Sequence, residues 1–205
     1  MKTLATFSLI VLLVSCNSSE KKNTETSSEK KETTELSKKE ETPNKKDDVS
    51  LPQQGDYASL FNLERKDCSF ITAADIAAAL NLPENSIKDV SENGYCNYDI
   101  TLNDNSNWSL SFQWHALSKN QITKEIKSYT DEDSPLTAQI SKTQDTYLCI
   151  HPFNSWLFLY NNNYDGTIQI SYCKVSCRKL DKEQKEIRKK LAITLGDYLL
   201  QKHQK

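Results

Sequence analysis

A run of alternating apolar and polar residues between positions 108 and 116 most restricts the fold of this chain. Its apolar members are Trp108, Leu110, Phe112, Trp114 and Ala116, and its polar members are Ser109, Ser111, Gln113 and His115. Because successive side chains of a strand point to opposite faces, the pattern predicts a strand with one buried and one polar face. Such half-buried strands are typical of antiparallel sheets.

Shorter strand patterns lie on both sides of this run. We predict strands at 87–90, 95–102, 137–140, 145–150, 156–160 and 167–173, with the last two joined as a hairpin across 161–166. Strands joined by such short connections pair in the antiparallel sense.

Three helices are predicted around these strands. Thr72 and Ser118 are N-caps, and Asp75 and Gln121 complete a capping box three residues later in each case. A third helix at 180–201 carries an apolar stripe of Ile187, Leu191, Leu195, Tyr198 and Leu199. The order of elements predicts an α+β fold, an antiparallel sheet with three helices packed mainly on one face.

The N-terminal segment has the features of an export signal. Lys2 precedes an apolar run from Leu4 to Val14, which is far shorter than the roughly 20 residues that span a bilayer. The run matches the apolar core of a cleaved signal peptide. The alternative is a retained membrane helix, which the Lys and Glu residues that follow within a few positions disfavour.

The end of this run, Leu13-Val14-Ser15-Cys16, resembles a bacterial lipobox. The resemblance implies cleavage before Cys16, diacylation of its thiol and firm attachment to a membrane, because two or more acyl chains bind a bilayer durably. An ordinary secretory signal in which Cys16 stands by chance is the alternative. Position 17 is Asn rather than Asp, so the resemblance favours the outer membrane, on its periplasmic or surface face.

The segment after Cys16 is predicted to be a disordered tether. Residues 17–50 contain 8 Lys, 9 Asp or Glu and 11 Ser or Thr, and no aromatic residue. Such a composition cannot bury enough apolar surface to become ordered, and as a flexible coil it would span roughly 30–35 Å. The alternative is a transient charged helix near residues 29–41. The predicted domains are therefore the signal at 1–15, the lipidated cysteine and tether at 16–55, and one globular domain at 56–205.

The opening of the domain carries a second resemblance. Cys68-Ser-Phe-Ile-Thr72-Ala-Ala-Asp-Ile76, followed by Cys96-Asn-Tyr98, is similar to the start of small envelope lipoprotein domains of unknown function. The resemblance covers roughly residues 66–100. It implies a sheet-and-helix domain with a disulfide, and no known catalysis.

With Cys16 assigned to lipid, five cysteines remain for an oxidising compartment. We expect a disulfide between Cys68 and Cys96, which would close a loop of roughly 29 residues and contribute about 3 kcal/mol. A further pair is expected among Cys149, Cys173 and Cys177. Cys173 and Cys177 can bridge only if residues 174–176 turn, because four extended residues exceed the distance a disulfide can span.

Two further patterns contain residue types that occur in functional sites. Asn161-x-Asn163-x-Asp165-Gly166 resembles the first half of a calcium loop, but the twelfth position is Tyr172 instead of a bidentate Glu, so a polar hairpin turn is the better interpretation. His115 shares the polar strand face with Ser109 and Ser111, which raises nucleophilic catalysis, although no nucleophile elbow accompanies them. His151 is interpreted as a strand-end loop residue and His203 as part of a terminal tail. No metal or cofactor is predicted.

Charge is distributed unevenly. The net charge of the chain is −2, which gives no reason to expect nucleic-acid binding, but residues 56–173 sum to −8 and residues 174–205 to +6. The basic last helix could face an acidic partner or anionic headgroups, or be an ordinary solvated face. Together these features predict a membrane-anchored envelope lipoprotein, a non-catalytic binding module with a possible protein partner. The alternatives are an inhibitor or immunity-type lipoprotein and, less favoured, an enzyme using His115 with Ser109 or Ser111 and a carboxylate.

Overall fold

The alternating run forms the longest strand of an antiparallel sheet whose strands differ in length. The computed structural model describes residues 49–64, 67–173 and 179–205. The described strands are β1 (Ile87–Asp89), β2 (Cys96–Thr101), β3 (Asn107–His115), β4 (Thr137–Ile140), β5 (Tyr147–His151), β6 (Trp156–Tyr160) and β7 (Thr167–Ser171). They form one sheet in the order β1-β2-β3-β7-β6-β5-β4. Two meanders therefore meet where β3 pairs with β7.

The described helices are α1 (Ala58–Phe61), α2 (Ala73–Leu80), α3 (Lys119–Thr130) and α4 (Lys182–His203). Thr72 and Ser118 cap α2 and α3 in the predicted capping boxes, and Asp181 caps α4 in a third one with Gln184. Each box satisfies amide groups that a helix start leaves without partners. The predicted α+β fold class is thus confirmed.

The main core lies on one face of the sheet, beneath α1, α2 and α4. One row of this face runs across five strands through Cys96, Phe112, Ile170, Leu157 and Ile150. All five side chains are buried, and they belong to the same apolar cluster as residues of the three helices. The apolar half of each alternating strand supplies this row.

The helix α3 packs on the opposite face. Ile122, Ile126 and Tyr129 of α3 form a second apolar cluster with Cys149 and Tyr160 of the sheet. The sheet residues of this cluster come from β4, β5 and β6, so α3 covers only that part of the face. Of the three predicted helices, α2 and α4 share a face and α3 takes the other.

The segment before α1 is held by a buried carboxylate. Asp145, 1 % exposed, accepts hydrogen bonds from the Gln54 amide at 3.0 Å and from the Tyr57 hydroxyl at 3.0 Å. Val49 packs against the second apolar cluster. Contacts with the sheet and its loops therefore begin before residue 56. None of the helices in the described residues is long and apolar enough to cross a bilayer.

Candidate functional site

The Cys68–Cys96 disulfide is present and joins the lead-in of α2 to the first residue of β2. Its two Cα atoms are 5.5 Å apart. Cys96 pairs with Phe112 of β3, and the β3 residues after Phe112 have no partner in β2. The disulfide therefore fixes the residues before α2 beside the place where β3 extends past the beginning of β2.

Of the other two described cysteines, one is a free thiol and one is disulfide-bonded. Cys149 is a free, buried thiol beneath α3, and burial raises its pKa, so it does not join the predicted second pair. Cys173 is disulfide-bonded, and its partner lies outside the described residues, as do Cys177 and Cys16.

A cleft of about 360 Å³ opens where β3 extends past β2. We call it the β3 cleft. Its floor is the end of β3 and the residues after it, and its walls are the disulfide and the turn before β2; the lining residues are Asp67, Asn93, Gly94, Tyr95, Cys96, Gln113, Trp114, His115, Ala116 and Leu117. The cleft exists because β3 has nine residues and β2 only six.

A tight turn builds one wall of the cleft. Asn93 and Gly94 both have positive φ angles, 54° and 77°, as a type I′ hairpin turn requires. The amides of Glu92 and Tyr95 donate reciprocally to each other's carbonyl oxygens at 3.2 and 2.9 Å. The turn leaves the Tyr95 ring 49 % exposed at the mouth of the cleft.

Among the described residues that line the cleft, Asp67 alone carries a formal charge. The backbone N–H of Ser69 donates to Asp67 Oδ1 at 2.8 Å, and this hydrogen bond, with that of the Ser69 hydroxyl, lowers the pKa of Asp67. The carboxylate therefore stays ionised at neutral pH. The remaining polar lining groups are neutral amides, a phenol, an indole and an imidazole.

Polar side chains continue from the cleft across the sheet. His115 Nε2 and Gln169 Oε1 are 2.9 Å apart, and Gln169 Nε2 donates to Ser171 Oγ at 2.8 Å. Since Gln169 Oε1 can only accept, His115 carries its ring hydrogen on Nε2 in this bond. Gln113 lies directly opposite Gln169 in the β3–β7 register. These groups share the sheet face that α3 only partly covers.

Aromatic rings extend the same face toward the β5–β6 hairpin. We call His151, Phe153, Trp156 and Phe158 the aromatic row. Ring centroids are 6.1 Å apart for His151–Phe153, 5.8 Å for His151–Trp156 and 6.1 Å for Trp156–Phe158. Phe153, at the hairpin tip, is 76 % exposed. The row meets the cleft residues through His115, whose ring lies 6.5 Å from that of Phe158.

The serine and histidine residues weighed for catalysis are not brought together. Ser109 Oγ donates to Asp99 Oδ1 at 2.9 Å, and His115 Nε2 bonds Gln169 instead. Ser109 and His115 are six positions apart on the same extended strand, which separates them by about 20 Å. Ser111 stands opposite Ser171 and Asn97.

The calcium-like loop is the turn between β6 and β7. Asn161 Oδ1 accepts from the Asn163 amide at 3.0 Å, whereas Asp165 Oδ1 accepts from the Lys119 amide at 2.9 Å. The two side-chain oxygens accept hydrogen bonds from different backbone amides, as in a polar turn. In the described residues no cluster of His, Cys, Asp or Glu could hold a metal ion.

The remaining histidines lie at element ends. His151 is the last residue of β5, whereas the sequence predicts a strand that ends at residue 150 with His151 in the loop after it. His203 is the last residue of α4 rather than part of a tail, because the helix runs beyond the predicted end at residue 201. Its ring is half-buried and lies within hydrogen-bonding distance of Ser59 Oγ and the Phe70 carbonyl oxygen.

Several residues of this site were missed as functional candidates. Asn93-Gly94 carries the strongest short-range hairpin signal and could have located the wall of the cleft. Trp156 and Phe158 alternate with Leu157 and Leu159, but apolar residues at every position conceal which face is open. No signal in the sequence joins Gln113 to Gln169, since that contact depends on β3 pairing with β7.

Comparisons with known proteins found no matching family model, no similar curated protein and no similar solved structure.

Proposed function

We propose that the protein is a lipid-anchored component of the bacterial cell envelope whose folded domain is a non-catalytic binding module. The Leu13–Cys16 motif and the charged segment that follows it support the anchor. With two or more acyl chains the protein would be a lasting membrane resident, and the domain would meet only ligands within reach of its tether.

The continuity between the β3 cleft and the aromatic row is the observation on which the binding function depends. Gln113 and His115 belong to the cleft lining and also stand beside Gln169 and Phe158 on the sheet face. The combined surface offers neutral donors and acceptors next to flat rings. Within the described part of the cleft lining, Asp67 is the one formally charged residue, in a chain whose charged fraction is 26 %.

This chemistry suits a neutral ligand that combines hydroxyl or amide groups with an apolar face. Amide and imidazole groups bind hydroxyls in a fixed direction, and an aromatic ring covers apolar surface at a small entropic cost. An envelope glycan has both properties. We therefore propose glycans as the ligand class.

The hydrogen bonds of the site support a binding function. His115 Nε2 donates to the neutral side-chain amide of Gln169 at 2.9 Å. In this arrangement His115 and Gln169 hold one another in fixed orientations, which suits recognition of a ligand.

A pulldown with purified glycans tests this function. The full chain, solubilised in detergent, would be mixed with two neutral insoluble polysaccharides, chitin, which carries hydroxyl and acetamido groups, and a β-glucan, which carries hydroxyl groups alone. We expect retention by one of them, weakened about fivefold by Gln113→Ala or by Trp156→Ala, because each change removes about 1 kcal/mol of contact.

Ile187→Ala is the matched control, since Ile187 is an apolar residue of α4 that is 47 % exposed. Its binding should equal that of the unaltered protein. The proposed ligand class is wrong if neither glycan retains the unaltered protein. It is also wrong if Trp156→Ala and Gln113→Ala bind as strongly as the unaltered protein.

A further inference from the structure

Among the described strands, β4 has no neighbour on its outer side and forms one edge of the sheet. It is the last strand of the sheet order and pairs with β5. Gln139 faces Leu148, and the Ser141 amide donates to Thr146 O at 2.9 Å. Because hydrogen-bonded and non-hydrogen-bonded pairs alternate in an antiparallel ladder, the N–H and C=O groups of Ala138 and Ile140 point away from β5.

The two edges of the sheet differ in how well they are protected against pairing with a further strand. At the other edge, β1 has three residues, of which Lys88 and Asp89 are charged and exposed. The sequence of β4 is Thr-Ala-Gln-Ile, without charge or proline, and Ile140 is 46 % exposed. Proteins usually block edge strands with charges, proline or bulges. The outer side of β4 has none of these within the strand.

A groove runs beside this open edge. It has a volume of about 490 Å³ and lies between β4 with the residues after it and one side of α4. Gln139 comes from the strand, and Ile193 and Thr194 come from the helix. Asp197 Oδ1 accepts from the Lys142 amide at 2.9 Å, which fixes the loop after β4 to α4. An extended segment paired with β4 would direct every second side chain into this groove.

The charge of the groove indicates its occupant. Lys142 and Lys190 line it and are exposed. Asp197, the one acidic residue among its described lining residues, is 7 % exposed and accepts a hydrogen bond from a backbone amide. Two copies paired through β4 would bring these basic rims together, which like charges oppose. An acidic segment would instead be attracted.

We propose that β4 and α4 form a docking groove for an extended, acidic segment of a partner protein, which adds to the sheet as an eighth strand. Backbone hydrogen bonds to Ala138 and Ile140 would supply affinity, and Lys142 and Lys190 would select the charge. This interaction goes beyond the proposed glycan binding and uses a different surface, so either can fail without the other.

A phage-displayed library of random peptides, selected on the detergent-solubilised full chain, tests the proposal. We expect enriched peptides with acidic residues at alternate positions. Their binding should weaken about tenfold in Ile140→Pro relative to Ile140→Ala, because both variants lose the side chain but only proline removes the outward N–H. Proline at an outward-facing edge position leaves the β4–β5 ladder intact.

Two further measurements keep the test independent of folding defects. Hydrogen exchange of the Ala138 and Ile140 amides should slow when an enriched peptide binds. The surface variant Lys142→Glu with Lys190→Glu should lose acidic peptides and keep the thermal unfolding of the unaltered protein.

Three outcomes would overturn the proposal. The first is the absence of enriched peptides, and the second is enrichment of peptides that bind Ile140→Pro and Ile140→Ala equally. The third is a dimer of the free chain, seen by light scattering, that Ile140→Pro converts to a monomer. That result would assign the edge to a second copy.

Discussion

Gly166 occupies a position that no other residue fits. Its φ angle is +145°, and a Cβ atom added there would lie 2.6 Å from Phe61 O and 2.7 Å from Trp114 Nε1. Trp114 Nε1 donates to Phe61 O at 2.8 Å. The absent side chain therefore lets the β6–β7 turn lie against the hydrogen bond that ties α1 to β3.

Gly166→Ala should be strongly destabilising. The new methyl group must displace backbone as well as an indole, and the residue must keep a φ angle that side chains rarely adopt. We expect the free energy of unfolding to fall by about 2 kcal/mol or more in chemical denaturation. Gly55→Ala is the control, because its closest contacts are the flexible side chain of Gln204. Equal stability of the two variants would contradict this account.

His203 links α4 to the residues before α2 in its neutral form. Its Nε2 lies 2.9 Å from Phe70 O and its Nδ1 lies 3.2 Å from Ser59 Oγ. A carbonyl oxygen can only accept, so the hydrogen is on Nε2 and Nδ1 accepts from the serine hydroxyl. Burial lowers the pKa of His203 below its ordinary value of 6.5, although the bond to Phe70 acts in the opposite direction.

This arrangement predicts a loss of stability in mild acid. As pH falls below 6.5, the unfolded histidine takes up a proton while the folded one resists, so the unfolded state binds more protons and the free energy of unfolding decreases. The decrease continues until the pH passes the lower folded pKa. The lowered carboxylate pKa values, such as that of Asp75, act only near and below 3.8.

Chemical denaturation curves, recorded at a series of pH values between 6.5 and 3.8, measure the effect. His203→Gln should flatten the dependence of unfolding free energy on pH, and Ser59→Ala should reduce it by removing the donor to Nδ1. An unchanged slope in His203→Gln would show that another group is responsible.

At the scale of elements, the Cys68–Cys96 bond holds a long connection in place. It spans 28 positions that include α2, β1 and the Asn93-Gly94 turn. The same bond forms a wall of the β3 cleft, since Cys96 and Asp67 line it. Loss of the bond should therefore affect stability and ligand binding together.

The double variant Cys68→Ala with Cys96→Ala should lower the free energy of unfolding by about 3 kcal/mol, because the unfolded chain regains the entropy of an open loop. Chemical denaturation without a reductant measures this change. Cys149→Ala is the control, as it removes a cysteine that forms no disulfide. If the double variant unfolds like the unaltered protein, the bond contributes nothing to stability.

Local patterns predicted the elements closely because their causes are local. A capping box needs two residues three positions apart, and all three boxes occur at helix starts. The alternating run at 108–116 corresponds to β3, Asn107–His115, whose apolar residues face the main core. The apolar pattern places the beginning of α4 at residue 180, two positions before Lys182, because the pattern does not identify Asp181 as the N-cap.

At the scale of the whole molecule, the proposed lipid anchor would fix the location of the domain through Cys16, which lies outside the described residues. Cys16→Ser should abolish labelling of the protein by palmitate and release it from the membrane fraction, since the thioether to lipid cannot form. Fractionation followed by immunoblotting measures this result. The control is Cys149→Ala, which should remain labelled. A Cys16→Ser protein that is processed and membrane-bound as before would refute the lipid anchor.

The two proposed surfaces lie on different parts of the sheet. The β3 cleft is formed where β2 ends, whereas the β4 groove is at the far edge, with β7, β6 and β5 between β3 and β4. A glycan and a protein segment could therefore bind the domain at the same time. If so, a tethered domain would bring a partner protein to an envelope surface.

The sequence by itself determined the class of the fold and the positions of most of its elements, because each depends on neighbours within a few residues. The tertiary structure alone decided that β3 pairs with β7, that α3 covers the face opposite α4, and that β4 is an edge strand among the described strands. Those outcomes depend on how distant segments share one core, which no local period specifies. The cleft has the same origin: the alternation predicts a strand at 108–116, but only the shorter partner β2 leaves Gln113 and His115 open to a ligand.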